Sequence, residues 1–114
     1  MNAQIVDKLK DVTERLVQRF DPDRIIVFGS HVYGQPTSDS DVDLLIVMDS
    51  DERPAERARQ VSKLLRPRPF PMDILVRTPE EIEHRLEIGD YFIREVLERG
   101  KVLYERSVPE GVDP

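Results

Sequence analysis

Three short runs rich in branched apolar residues, 24–28 (RIIVF), 42–48 (VDLLIVM) and 72–76 (MDILV), limit what this chain can become. A strand with one wet face alternates polar and apolar residues, whereas a strand covered on both faces is apolar throughout. The runs are of the second kind, so helices must lie on both sides of the sheet that they form. The intervening segments supply those helices. Over 3–20, Ile5, Leu9, Val12 and Leu16 recur at helical spacing, with Val6, Thr13, Val17 and Phe20 widening the stripe, and Asp21-Pro22-Asp23 ends it. Pro54 suits a first helical turn, and Ala55, Ala58, Val61, Leu64 and Leu65 make an apolar face that Pro67, Pro69 and Pro71 bring to a stop. Thr78-Pro79-Glu80-Glu81 is a capping box, Gly89-Asp90 breaks and recaps the helix, and Phe92, Ile93, Val96 and Leu97 form the last stripe before Gly100. The run 101–104 (KVLY) predicts a further strand at a sheet edge. The expected fold class is therefore α/β (α+β): one domain over 1–106 with a small mixed sheet of three to four strands flanked by helices. The segment 107–114, with nothing to bury, is expected to be a disordered tail.

Composition narrows the function classes. A chain of 114 residues, 39% hydrophobic and 35% charged, has the length and balance of one small domain. So small a domain encloses a deep cleft poorly, which makes a protein partner plausible from size alone. Without cysteine there is neither a disulfide framework nor a zinc-thiolate site, and no apolar run reaches the roughly 18 residues that a membrane span requires. The amino-terminal segment is polar and amphipathic, unlike a secretory signal, so a cytoplasmic location is expected. A net charge of −6 argues against a protein that grips long nucleic acid, and no direct nucleic-acid binding is expected. The charge is uneven. Residues 51–68 are basic and 79–98 acidic, a pattern that solvated helix faces explain more simply than docking surfaces do.

The acids are the chemical signal. Asp41 and Asp43 stand two apart at the head of a strand, so both side chains leave one face with Cα atoms about 6.5 Å apart. Two like charges in a partly dry place repel unless a cation neutralises them, and magnesium, which takes carboxylate and phosphate oxygens while keeping water, suits such an edge. Asp73 interrupts a strand expected to be apolar on both faces. If that strand adjoins the second, Asp73 lies about 4.8 Å across the ladder and completes a cluster of three carboxylates. Such a cluster can hold two Mg²⁺ ions about 3.5–4 Å apart, with Asp73 also placed to take a proton from an attacking hydroxyl. Gly29-Ser30 ends the first strand and opens a helical turn whose N–H groups and hydroxyl suit a phosphate chain.

Each feature has a plainer structural explanation. A Gly-Ser pair after a strand is usually a turn, Asp39 or Asp41 can cap a helix, and Asp73 can pair with Arg68 or Arg77. His31 and Tyr33 lie close enough in sequence to touch a nucleotide, whereas Tyr33, Tyr91 and Tyr104 are too scattered along the chain to predict a stacking platform.

Phe28-Gly29-Ser30, then Asp41-Val42-Asp43-Leu44, then the isolated Asp73 resemble the DNA polymerase β-like nucleotidyltransferase superfamily. From about residue 3 to residue 106 the chain looks like the minimal nucleotidyltransferases (MNT), the antitoxin halves of HEPN/MNT toxin-antitoxin pairs, and 101–105 (KVLYE) looks familiar too. The resemblance implies ATP held at Gly29 and Ser30, Mg²⁺ held by Asp41, Asp43 and Asp73 as catalytic acids, and a HEPN toxin as hetero-oligomeric partner. It further implies AMP transfer to a tyrosine hydroxyl of that toxin, with neutralisation by binding alone as the alternative. A small-molecule nucleotidyltransferase of the aminoglycoside type ranks last, because the chain has no room for a domain to cover such an acceptor. Where many relatives carry arginines after Gly-Ser, this chain has His31-Val32-Tyr33.

Overall fold

The computed structural model describes residues 3–36 and 40–106, so the tail expected over 107–114 lies outside the described residues. In chain order the elements are α1 (Ala3–Phe20), β1 (Arg24–Phe28), α2 (Ser30–Tyr33), β2 (Val42–Val47), α3 (Pro54–Leu64), β3 (Met72–Arg77), α4 (Pro79–Glu87), α5 (Tyr91–Arg99) and β4 (Lys101–Glu105). Asp21 ends α1 in the left-handed region, at φ 47°, while its N–H reaches the Val17 carbonyl at 3.0 Å. The expected box at α4 is present: the Thr78 side chain accepts the Glu81 N–H, and the Glu81 carboxylate accepts the Thr78 N–H.

The four strands form one mixed sheet in the order β3-β2-β1-β4. β1 pairs antiparallel with both β2 and β4, while β2 and β3 run parallel and are joined through α3. A parallel pair requires such a crossover, and the long apolar face read over 54–65 is the cover that it brings. Each side of the sheet has its own core. On one side Leu9, Val12 and Leu16 of α1 and Val61 of α3 bury against Ile25, Val27, Leu44 and Ile46. On the other, Ile82 of α4 with Ile93 and Val96 of α5 buries against Ile26, Phe28, Leu45 and Val47.

Two expectations need correction. β3 is an edge strand, and its cover is partial: Met72 and Val76 are buried in one core, Leu75 is half-buried against the other, and Asp73 is exposed. The apolar run was consistent with either position, because strand order is set by packing and not by local composition. The basic stretch 51–68 is not wholly a solvated face either. Arg57 is buried at 5% exposure, donating from Nη1 to Glu81 at 2.6 Å and from Nε to the Glu52 carbonyl at 2.8 Å.

Candidate active site

The register places the acids in a row. Phe28 of β1 lies opposite Asp43 of β2, and Asp43 opposite Asp73 of β3. Asp43 shares its sheet face with Leu45 and Val47, the face that α4 and α5 cover, so its carboxylate is half-buried while Asp41, just ahead of β2, is exposed. Burial, then the neighbouring charges of Asp73 and Asp41, push the Asp43 carboxyl above its ordinary pKa, with His31 opposing them.

Gly29 joins β1 to α2 with φ 83°, a backbone conformation that side chains with a Cβ rarely adopt. A Cβ built there would stand 2.0 Å from Asp43 Oδ2. Glycine is thus required twice over, by the turn and by the carboxylate against it. α2 then turns tightly, with the Val32 and Tyr33 N–H groups both donating to the Gly29 carbonyl and the Gly34 N–H to that of Ser30. Ser30 therefore sits at the first position of a helical turn, as expected. His31 Nε2 lies 3.1 Å from the Ser40 carbonyl, which ties α2 to the approach to β2.

The pairing of Asp73 with a nearby arginine does not form. Arg68 donates to the Met72 carbonyl and to Ser62, Arg77 donates to the Val76 carbonyl, and among the described residues Asp73 has no ion pair. Carboxylates that repel one another and, among the described residues, form no ion pair, with a glycine turn beside them, fit a divalent cation. In the conformation seen, no three acidic or histidine side chains among the described residues stand close enough to make a ready ligand set, so binding a cation requires the carboxylates to draw together.

Gly29, Asp43 and Asp73 rim a depression of about 380 Å³ whose other walls come from Phe28, Tyr33, Leu75, Phe92 and Glu95. Sequence reasoning missed Phe92 and Glu95 as site residues. Phe92 was counted with the buried stripe of its helix, and Glu95 with an acidic run. Spacing could not set Phe92 apart: Phe92 and Val96 are four apart, as are Ile93 and Leu97, so Phe92 reads as part of the stripe, and only the structure shows that Ile93 and Val96 are the buried pair.

A mixed sheet clad by helices on both faces, with a glycine turn set against strand carboxylates, is the architecture of a nucleotidyltransferase. Residues 6–103 match the family model of the nucleotidyltransferase domain, and the chain belongs to that family. Its fold is similar to the crystal structure of a Sulfolobus solfataricus protein assigned as a nucleotidyltransferase, with a TM-score of 0.65 and 20% identity over 90% of this chain and 82% of that one. No curated protein matches the chain significantly. Domains of this family generally use a nucleoside triphosphate and a divalent metal.

Proposed function

We propose that the protein transfers AMP from ATP to a tyrosine hydroxyl of a HEPN toxin and thereby acts as an antitoxin. The observation that carries this reading is the row of Gly29, Asp43 and Asp73 across three adjacent strand ends, with Asp43 destabilised as an anion. Gly29 lets the Asp43 carboxylate lie against the turn, and the Ser30 hydroxyl and the first N–H groups of α2 are donors for a phosphate chain beside it. Asp41, Asp43 and Asp73 are the residues to hold Mg²⁺, which when bound neutralises charge on the transferring phosphate. The exposure of Asp73 on the outer strand supports it as the group that takes the hydroxyl proton of the acceptor. In the transfer the acceptor oxygen bonds to the α-phosphorus, the bond to the bridging oxygen breaks, and pyrophosphate leaves. The small size of the domain supports an acceptor that brings its own structure, as a protein does.

The alternative reading is that the protein silences its partner by binding alone. Intact-mass measurement after mixing the protein with a HEPN partner and Mg²⁺-ATP separates the two. The enzyme adds one or more AMP units, and the modified partner stays inactive after separation. The Asp41→Ala, Asp43→Ala double variant should add none and fail as an antitoxin. Full protection by that variant would transfer first place to binding.

A further inference from the structure

The depression beneath the carboxylates contains features that phosphate chemistry does not use. Phe92 meets Phe28 edge to face, with ring centroids 5.6 Å apart and an interplanar angle of 79°, yet keeps 50% of its surface exposed. Its edge-to-face seat on Phe28 fixes the ring while leaving surface free for a further flat partner. Tyr33 and Leu75 extend the apolar lining, and Glu95 adds a carboxylate. That carboxylate is braced: Arg99 donates to Glu95 at 3.0 Å, and its guanidinium carbon lies 4.3 Å from the centre of the Tyr33 ring. Glu95, Arg99 and Tyr33 thus link α5 to α2, the turn that follows Gly29.

We infer that this depression is the nucleobase subsite, in which Phe92 stacks on the base and Glu95 accepts an N–H from its exocyclic amino group. The inference rests on the nucleotidyl-transfer reading and deepens it by naming the class of base. A volume of about 380 Å³ falls within the range of about 300–1,000 Å³ usual for small-molecule sites. Its aromatic and aliphatic walls suit a flat heterocycle, and Gly29 on its rim makes it continuous with the phosphate turn. With Mg²⁺, Asp43 and Asp73 would take the phosphates at the Gly29 end, which leaves the α5 end, where Arg99 already pairs with Glu95, for the base. Because an ionised carboxylate only accepts hydrogen bonds, it favours adenine, cytosine and guanine, which present amino groups. Uracil flanks its one edge N–H with two carbonyl oxygens, which the carboxylate repels.

The test uses the full chain with Mg²⁺ and compares ATP, UTP and inorganic tripolyphosphate by titration calorimetry. Wild type should bind ATP more tightly than UTP. Phe92→Ala should weaken ATP about tenfold and leave tripolyphosphate unchanged, since stacking on an aromatic ring contributes that much per base. Phe92→Leu, which keeps an apolar contact with Phe28, should show the same split and guards against a folding defect. Glu95→Gln should narrow the preference for ATP over UTP by about tenfold. Equal binding of ATP and UTP by wild type, or variants that change ATP and tripolyphosphate alike or neither, would overturn the subsite. Failure of wild type to bind either triphosphate or tripolyphosphate with Mg²⁺ would instead overturn the nucleotidyl-transfer reading, and the subsite with it.

Discussion

At the scale of single residues, Gly29 and Asp43 are one unit. An alanine at position 29 must adopt φ 83° with ψ −157°, a conformation essentially confined to glycine, at a cost of about 1–3 kcal/mol. It also displaces the Asp43 carboxylate, which stands 2.0 Å from where that Cβ would lie. Gly29→Ala is therefore expected to lower the midpoint of urea unfolding and to abolish Mg²⁺-dependent nucleotide binding, both measurable on one preparation. Asp43→Asn separates the two effects. The Asp43 carboxyl has a raised pKa in the folded protein, so the stability that it contributes is present below its unfolded value of 3.8 and is lost as pH rises through the folded value. Removing the charge should raise the melting temperature of the metal-free protein at neutral pH and flatten this loss, while lowering transfer activity more than a hundredfold or so. A melting temperature that falls on substitution would make Asp43 a structural residue.

At the scale of elements, α4 is held at its start by a box that also serves α3. Burial works against the charge of Glu81, but the Thr78 N–H and the Arg57 guanidinium outweigh it and leave the carboxyl below its ordinary pKa. A lowered folded pKa contributes stability above the unfolded value of 4.5 and loses it as pH falls through the folded one. Glu81→Gln should therefore destabilise the protein at pH 7, by about 1–3 kcal/mol because Arg57 is left buried with a weaker acceptor, and the difference from wild type should shrink on acidification. Chemical unfolding at pH 7 and pH 3.5 measures both values. Thr78 and Glu81 were readable as a cap, because capping is local chemistry. The attachment of Arg57 to that cap was not, since it joins residues of different elements across the fold. The same distinction runs through the site. The acids of β2 and β3 were legible as out of place in apolar runs, and their register follows once the two strands pair in parallel. Tyr33 and Phe92, distant in sequence, line one depression only because α5 returns over the sheet face that carries Phe28.

At the scale of the whole molecule, a ligand that binds the folded chain alone stabilises it by mass action, by about 2.7 kcal/mol at a hundred times its Kd. ATP with Mg²⁺ should raise the melting temperature by several degrees, and ATP with EDTA by much less. An equal rise in both would remove the three carboxylates from nucleotide binding. The matching family model and the similar Sulfolobus fold bear on the architecture of the domain, while its acceptor is a proposal that the intact-mass measurement decides.

The sheet divides the interior into two cores, and only the one beneath α4 and α5 carries the row of acids and the depression under it. Sequence drift in the two halves is accordingly subject to different filters. Conservative exchanges among Leu9, Val12, Leu16 and Val61 reach the site only indirectly, through Val32, Val42 and Met72 of the same core, so lineages can repack that half more freely as long as its volume is kept. Exchanges at Phe28, Leu45 or Ile93 also move the floor on which the reacting groups rest. A library randomised separately on each side should return many active sequences from the first and few from the second, although both cores are equally well buried.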